Sequence, residues 1–193
     1  MGMTATRIKE AALARFAQFG YEGTSLSDIA HDVGIKKPSL YSHFTGKEQL
    51  YFVCLDTSLE RDLDYLRSCV AAYEGKSLSS FLYELLESYG RRFYENVEAM
   101  FWLRSLFFPP AAFKDRIVEK ANHYVEEAGH LLTPVFAEAI EKKTITAENA
   151  EMAAAAYLCL FDGLMIELQY SGLDGFQKRL HAAWPIFWRG IHI

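Results

Sequence analysis

Cysteine is nearly absent, and the three present, Cys54, Cys69 and Cys159, are widely spaced. An odd, scattered set excludes a disulfide framework and zinc-finger ligand spacing. It leads us to expect packing thiols in a reducing, cytoplasmic compartment. Proline and glycine are also sparse, at 5 and 12 residues, which excludes a loop-rich or fibrous chain. No apolar run is long enough to span a bilayer, and the start of the chain has no secretory pattern. Strand-like alternation, repeats and low-complexity segments are missing. No Gly-rich phosphate loop, Ser/His/Asp set or Cys–His zinc pattern is present. One E-x-x-H occurs, Glu127 to His130, where a ferritin-like di-iron site needs two. These absences argue against an enzyme, and no cofactor is expected.

What is present is apolar residues at helical spacing, 51% hydrophobic overall, enough for a sizeable core in 193 residues. Ile8, Ala12, Phe16 and Phe19 line one face of a first helix, and Gly20 ends it. Ser25 and Asp28 have the spacing of a capping box for a second helix, whose apolar face is Leu26, Ile29, Ala30 and Val33. Gly34 stops that helix, since glycine takes positive φ at little cost. Ile35 is expected to plug the turn. Pro38 suits the first turn of a third helix, with Leu40 and Phe44 facing inward. Thr45 and Glu48 are expected to box a fourth helix.

Two short helices joined by a tight glycine turn are how a helix-turn-helix presents a reading head to the DNA major groove, here at about residues 25–44. The exposed chemistry fits phosphate. Lys36 and Lys37 precede the third helix, and His43 and Lys47 follow it. Thr24, Ser25, Ser39, Tyr41 and Ser42 supply hydroxyls, and Lys37, Ser39 and Ser42 are the candidates for base edges. Residues 1–53 hold six Lys/Arg against five Asp/Glu, a net of +1 in a chain of net −5. An acidic body repels DNA except at this patch, which favours a specific site over general coating. A helical ligand carrier that never meets DNA would not need these cations on one face.

The segment resembles the N-terminal domain of TetR-family transcriptional repressors. The resemblance rests on Arg7-Ile8, Ala11-Ala12, Phe16, Gly20-Tyr21, Thr24-Ser25, Asp28-Ile29-Ala30, Gly34-Ile35, Lys37, Ser39-Leu40-Tyr41, His43-Phe44 and Lys47-Glu48-Gln49-Leu50. It covers about a quarter of the chain. The resemblance implies an all-α homodimer that binds double-stranded operator DNA and releases it when a small molecule enters the C-terminal domain. It also implies phosphate contacts at Thr24, Ser25, Tyr41, His43 and Lys47. We therefore expect a three-helix helix-turn-helix domain over residues 1–50. A helical ligand-binding and dimerisation bundle is expected over 51–193.

In that second part a long helix is expected from Gly46 to about Tyr73, broken by Glu74-Gly75-Lys76-Ser77. Further helices are expected at about Leu78–Glu95 and Val97–Phe107, with a loop at Pro109-Pro110. Another runs from Phe113 to about Lys143, with a bend near Pro134. Thr146 is expected to cap a helix reaching Ser171, and a last one spans Phe176 to Gly190 beyond Gly172. The part beyond residue 53 carries 21 of the 28 aromatic residues. An apolar effector pocket is expected among Phe101, Trp102, Arg104, Phe107, Phe108, Phe113, Tyr124 and Phe161. Arg92, Asn122 and His123 are further polar candidates there. His123, Glu127 and His130 share a helix face and make a weak candidate metal set. The helices 146–171 and 176–190 are expected to form the dimer interface. Ala153–Ala156 and Gly163 give the first a small-residue surface. Phe176, Leu180, Trp184, Phe187 and Ile191 give the second an apolar stripe. A ligand in the bundle is expected to shift the helix at Val97 and, through it, the helix that follows Gly46.

Overall fold

The computed structural model describes residues 2–73 and 77–193. The break expected at Glu74-Gly75-Lys76 lies outside the described residues. All regular elements among the described residues are helical: α1 (Met3–Phe19), α2 (Leu26–Val33), α3 (Lys37–Leu40), α4 (Lys47–Ala71), α5 (Leu78–Glu95), α6 (Val97–Phe107), α7 (Lys114–Glu141) and α8 (Ala150–Ile191). A 3-10 turn, Ala111–Phe113, precedes α7. An isolated bridge pairs Ile145 with His192. The fold is all-α, as the periodicity predicts, and α5 and α6 have the expected bounds.

The chain forms two compact units, each discontinuous in sequence: residues 1–61 with 96–118, and residues 62–95 with 119–193. The first unit includes all of the expected 1–50 domain and adds the first half of α4, α6 and the Pro-Pro loop. Its core is aromatic. Phe16 of α1 meets Tyr51 of α4 edge-on at 5.1 Å between ring centroids, and Tyr51 meets Phe101 of α6 at 5.5 Å. Phe113 sits edge-on to Tyr21 at 4.8 Å. Such pairs contribute beyond their buried area. Asn96 caps α6, its side-chain oxygen accepting from the N–H groups of Glu98 at 2.9 Å and Ala99 at 3.0 Å.

The second unit packs the end of α4, α5, most of α7 and all of α8. Gly90 of α5 lies so close to α8 that a Cβ there would meet the Phe176 ring at 2.4 Å. Close helix approach thus requires glycine at this point. α8 is broken at Gly172, whose φ of 66° and ψ of −166° are non-helical. Its two halves, 150–171 and 173–191, correspond to the two expected helices. The cap of the first half is Asn149, not Thr146: the Asn149 side chain accepts from the Met152 N–H at 2.8 Å. The Thr146 N–H is instead bonded to the Ile191 carbonyl at 2.6 Å. α7 runs through Pro134.

The apolar stripe expected to be free on the last helix is partly internal. Phe176 and Leu180 are buried within the unit, and Trp184 packs on Tyr83 at 5.5 Å. Ala153 and Ala154 are buried as well. The exposed face of the first half carries Met152, Ala155, Ala156, Cys159, Gly163, Ile166 and Tyr170. The physical reason is phase. A helix that packs along its length covers one face and leaves the opposite one outside.

Candidate functional site

The corner formed by α2, its turn and α3 is held by its own hydrogen bonds. The Ser25 hydroxyl donates to Asp28 Oδ2 at 2.7 Å and accepts from the Asp28 N–H at 3.2 Å. The Ser25 N–H donates back to Oδ2 at 3.1 Å. This is the expected capping box, and it holds the Asp28 carboxyl below the usual carboxylate range, chiefly through the Ser25 hydroxyl. Gly34 ends α2 with left-handed φ of 76° and ψ of 31°. The Arg7 guanidinium donates to the Val33 carbonyl at 2.7 Å, a cation at the negative end of a helix. Arg15 forms a bidentate pair with Asp32 at 2.6 and 2.8 Å. Three charged groups thus fasten α1 to α2, and Leu40 and Phe44 anchor the far side in the core.

On the outer face Lys36, Lys37, Ser39, Tyr41, Ser42 and His43 are all exposed. α3 is a single helical turn, and residues 41–43 continue as turns. The other candidates differ in availability. Thr24 is 2% exposed and donates its hydroxyl to the Gly20 carbonyl at 2.9 Å. Its hydroxyl proton is therefore engaged in the turn. The Ser25 proton is held by Asp28 and the Ser42 proton by the Ser39 carbonyl at 2.6 Å. Lys47 donates to the Tyr21 carbonyl at 2.9 Å and lies 4.0 Å from the Tyr21 ring centroid. An ammonium has three donors, so this contact positions Lys47 without exhausting it. At the start of α4 the Thr45 N–H bonds Gln49 Oε1 at 2.6 Å. The expected Thr45–Glu48 box is not formed, since Glu48 pairs with Arg116 at 2.5 Å.

The expected effector residues divide between the two units. Phe101, Trp102 and Phe113 are buried in the first. Arg104 donates to the Ala17 carbonyl at 3.2 Å there, while Phe107 is half-buried and Phe108 exposed. Phe101, Arg104 and Phe108 border a small cavity of about 40 Å³ with Tyr51 and Ser105. Tyr124 and Phe161 lie in the second unit, on a small cavity of about 10 Å³ with Leu66, Leu85, Tyr89 and Tyr157.

Beside that second cavity is a buried charge. Asp62 is 0% exposed. Its Oδ2 accepts from the Tyr124 hydroxyl at 2.7 Å, its Oδ1 from Arg92 Nε at 3.2 Å. The Tyr89 hydroxyl lies 3.4 Å from the Asp62 carbonyl oxygen. Desolvation raises the carboxyl's pKa, against the opposing pull of Tyr124, Arg92 and Tyr89. Arg92 also lies over the Tyr65 ring, 4.6 Å from its centroid. Sequence reasoning missed Asp62. The signal was there: it falls in phase with Leu55, Leu59 and Leu66 on the apolar face of α4.

Glu127 lies between Arg67 at 3.8 Å and His130 at 3.6 Å, and His123 is exposed. No group of three His, Cys, Asp or Glu among the described residues is placed to hold a metal. Cys54 is buried and its thiol is pushed up to about 12 by burial, which makes it unreactive. No described helix is long and apolar enough to cross a membrane.

Among the described residues the chain is helical, and its first unit presents a braced helix-turn-helix corner. Residues 8–54 match the model for bacterial regulatory proteins of the tetR family. The chain is similar to the biofilm operon icaADBC HTH-type negative transcriptional regulator IcaR of Staphylococcus aureus. The identity is 37% over 86 residues, 42% of this chain and 44% of that protein. The Staphylococcus epidermidis regulator of the same name is 33% identical over 88 residues, 45% and 48% of the two chains. The match thus spans less than half the length of these relatives. Among solved structures, a TetR transcription regulator from Haloarcula marismortui superposes with a TM-score of 0.78. It is 18% identical, with 98% of each chain covered. Salmonella enterica GusR gives 0.74 at 21% identity, over 96% of this chain and 93% of that one. At these identities the structures speak for the fold.

Proposed function

We propose that this chain is a transcriptional repressor that binds operator DNA as a homodimer and releases it when a small, largely apolar or aromatic molecule binds its second unit. The observation that carries the reading is the corner at Lys36–His43. Its cations, hydroxyls and imidazole face solvent, while caps and ion pairs fix the backbone behind them. Lys36, Lys37, Ser39, Tyr41 and His43 are the principal DNA contacts. Ser25, Ser42 and Lys47 contribute through lone pairs, backbone N–H groups or remaining ammonium donors, and Thr24 sets the turn. IcaR is a negative regulator, which supports repression over activation. A reducing, cytoplasmic setting suits a protein that reads DNA.

Dimerisation through α8 is supported by its exposed small and apolar face, Met152, Ala155, Ala156, Gly163, Ile166 and Tyr170, with Ile186 exposed on the second half. Two reading heads then meet two half-sites. The effector site we favour is the Tyr89–Tyr124–Tyr157 cavity. α4 supplies residues to both units, so a ligand that displaces Tyr124 from Asp62 acts on the helix that begins at Lys47. The lever expected at Val97 belongs to α6, in the same unit as the corner.

The test is selection of DNA by the purified protein from a random duplex pool. Enrichment of an inverted repeat supports a dimeric site-specific reader. A pool that stays unenriched at low salt would sink the reading. Compounds that shift the thermal midpoint are then added to the protein–DNA complex; stabilisers that leave the complex intact count against induction.

A further inference from the structure

The cavity in the second unit has two kinds of wall. Leu66, Leu85, Leu132, Leu158 and Phe161 are apolar, and Tyr89, Tyr124 and Tyr157 bring hydroxyls. Its volume, about 10 Å³, holds no more than one water-sized group. Any larger ligand must therefore displace a wall. Tyr157 is tied to the Leu82 carbonyl at 2.7 Å, in neutral hydrogen-bonded backbone. Tyr124 is tied to a charge, the Asp62 carboxylate. If Tyr124 moves, Asp62 Oδ2 loses its 2.7 Å donor, while Arg92 remains on Oδ1 and the Tyr89 hydroxyl stays beside the carboxylate as a weaker partner. A buried carboxylate deprived of a donor is strongly disfavoured, and apolar contact does not compensate.

We propose that the second unit selects its effector by donor exchange at Asp62: the ligand is an apolar ring compound carrying a hydroxyl or amine that takes over the hydrogen bond given by Tyr124. This rests on the effector reading above and specifies its chemistry. A hydrocarbon or ether of the same shape leaves Oδ2 unsatisfied. A carboxylate brings like charge to Asp62. A phenol or aromatic amine restores the donor and fills the enlarged apolar space. Asp62 and Tyr124 are thus specificity-determining residues, and Arg92 is a positioning residue that holds the carboxylate.

The experiment compares 2-naphthol, 2-methoxynaphthalene and 2-naphthoate by calorimetric titration of the full chain. Wild-type protein is expected to bind the naphthol about tenfold or more tighter than either analogue, because a buried polar group rejects a ligand that leaves it unpaired. Tyr124→Phe leaves Oδ2 without that donor already in the free protein, so it should tighten the naphthol and the ether alike, several-fold, and keep the preference for the naphthol. A merely structural role for Tyr124 would weaken both. Asp62→Asn should collapse the preference over naphthoate, and it serves alone if Tyr124→Phe does not fold. Equal binding of the three compounds, absence of binding by all three, or a preference that survives Asp62→Asn overturns the proposal. Naphthol binding of this pattern with DNA still held supports the exchange and sinks the release reading. Release of DNA by a compound indifferent to Asp62 does the reverse.

Discussion

Ser25 and Asp28 share three hydrogen bonds that start α2. Ser25→Ala removes two of them and should lower stability by about 1 kcal/mol in denaturant titration. Asp28 and Asp32 are both held below the ordinary carboxylate range, by the Ser25 hydroxyl and by Arg15. A carboxyl depressed in the folded state stabilises above its unfolded pKa and loses that contribution as pH falls through the folded value. Wild-type protein should therefore lose stability as pH drops below about 4. Asp32→Asn should be less stable at pH 7 and should show a shallower loss in the same range. An identical pH profile for the two proteins would remove Arg15–Asp32 from the account. Asp62 has the opposite sense: burial raises its pKa, so its contribution favours the folded state at low pH and is lost as pH rises. At this scale the sequence is legible where partners lie within one turn, as at Ser25 and Gly34. It is not legible where a long-range neighbour decides. Glu48 takes Arg116, 68 residues on, and leaves the Thr45 backbone to Gln49.

Helices are the most legible elements, because apolar periodicity and proline fix them locally. α5 and α6 follow the expected bounds, and Gly172 divides α8 at the expected break. Which face of a helix is covered is a tertiary matter. Phe176 reads as part of a free stripe until Gly90 is seen to leave room for its ring. Gly90→Ala places a methyl at 2.4 Å from that ring. The overpacking should cost about 1–3 kcal/mol, and Phe176→Leu in the same chain should recover part of it. Thermal melts of the single and double variants measure this; a neutral Gly90→Ala would mean that the two helices are not held at this distance. The single-turn length of α3 is a similar lesson. Leu40 and Phe44 show the right inward phase, but the turns at residues 41–43 end the helix early.

For the whole molecule we propose two copies, and the exposed side of α8 is the surface we assign to them. Gly163 on that side has no heavy atom within 4 Å of an added Cβ. Gly163→Leu should therefore leave helicity and the folded protomer intact while shifting sedimentation from dimer to monomer. A variant that stays dimeric would place the interface elsewhere. Aromatic richness beyond residue 53 is legible as composition, but its division is not. Phe101, Trp102 and Phe113 serve the core of the first unit, and Tyr124 and Phe161 flank the cavity of the second.

The central claim is that the Lys36–His43 corner reads DNA. The direct measurement is affinity for the selected duplex as a function of salt, for wild type and for Lys37→Ala and Tyr41→Ala proteins that remain dimeric. Each substitution takes one phosphate-binding group from both protomers, so each should weaken binding at every salt concentration. Lys37→Ala should also reduce the log–log salt slope by about 2, since two cations leave the dimer. Tyr41→Ala should weaken binding with little change of slope. Unchanged affinity and slope in both variants would contradict the account.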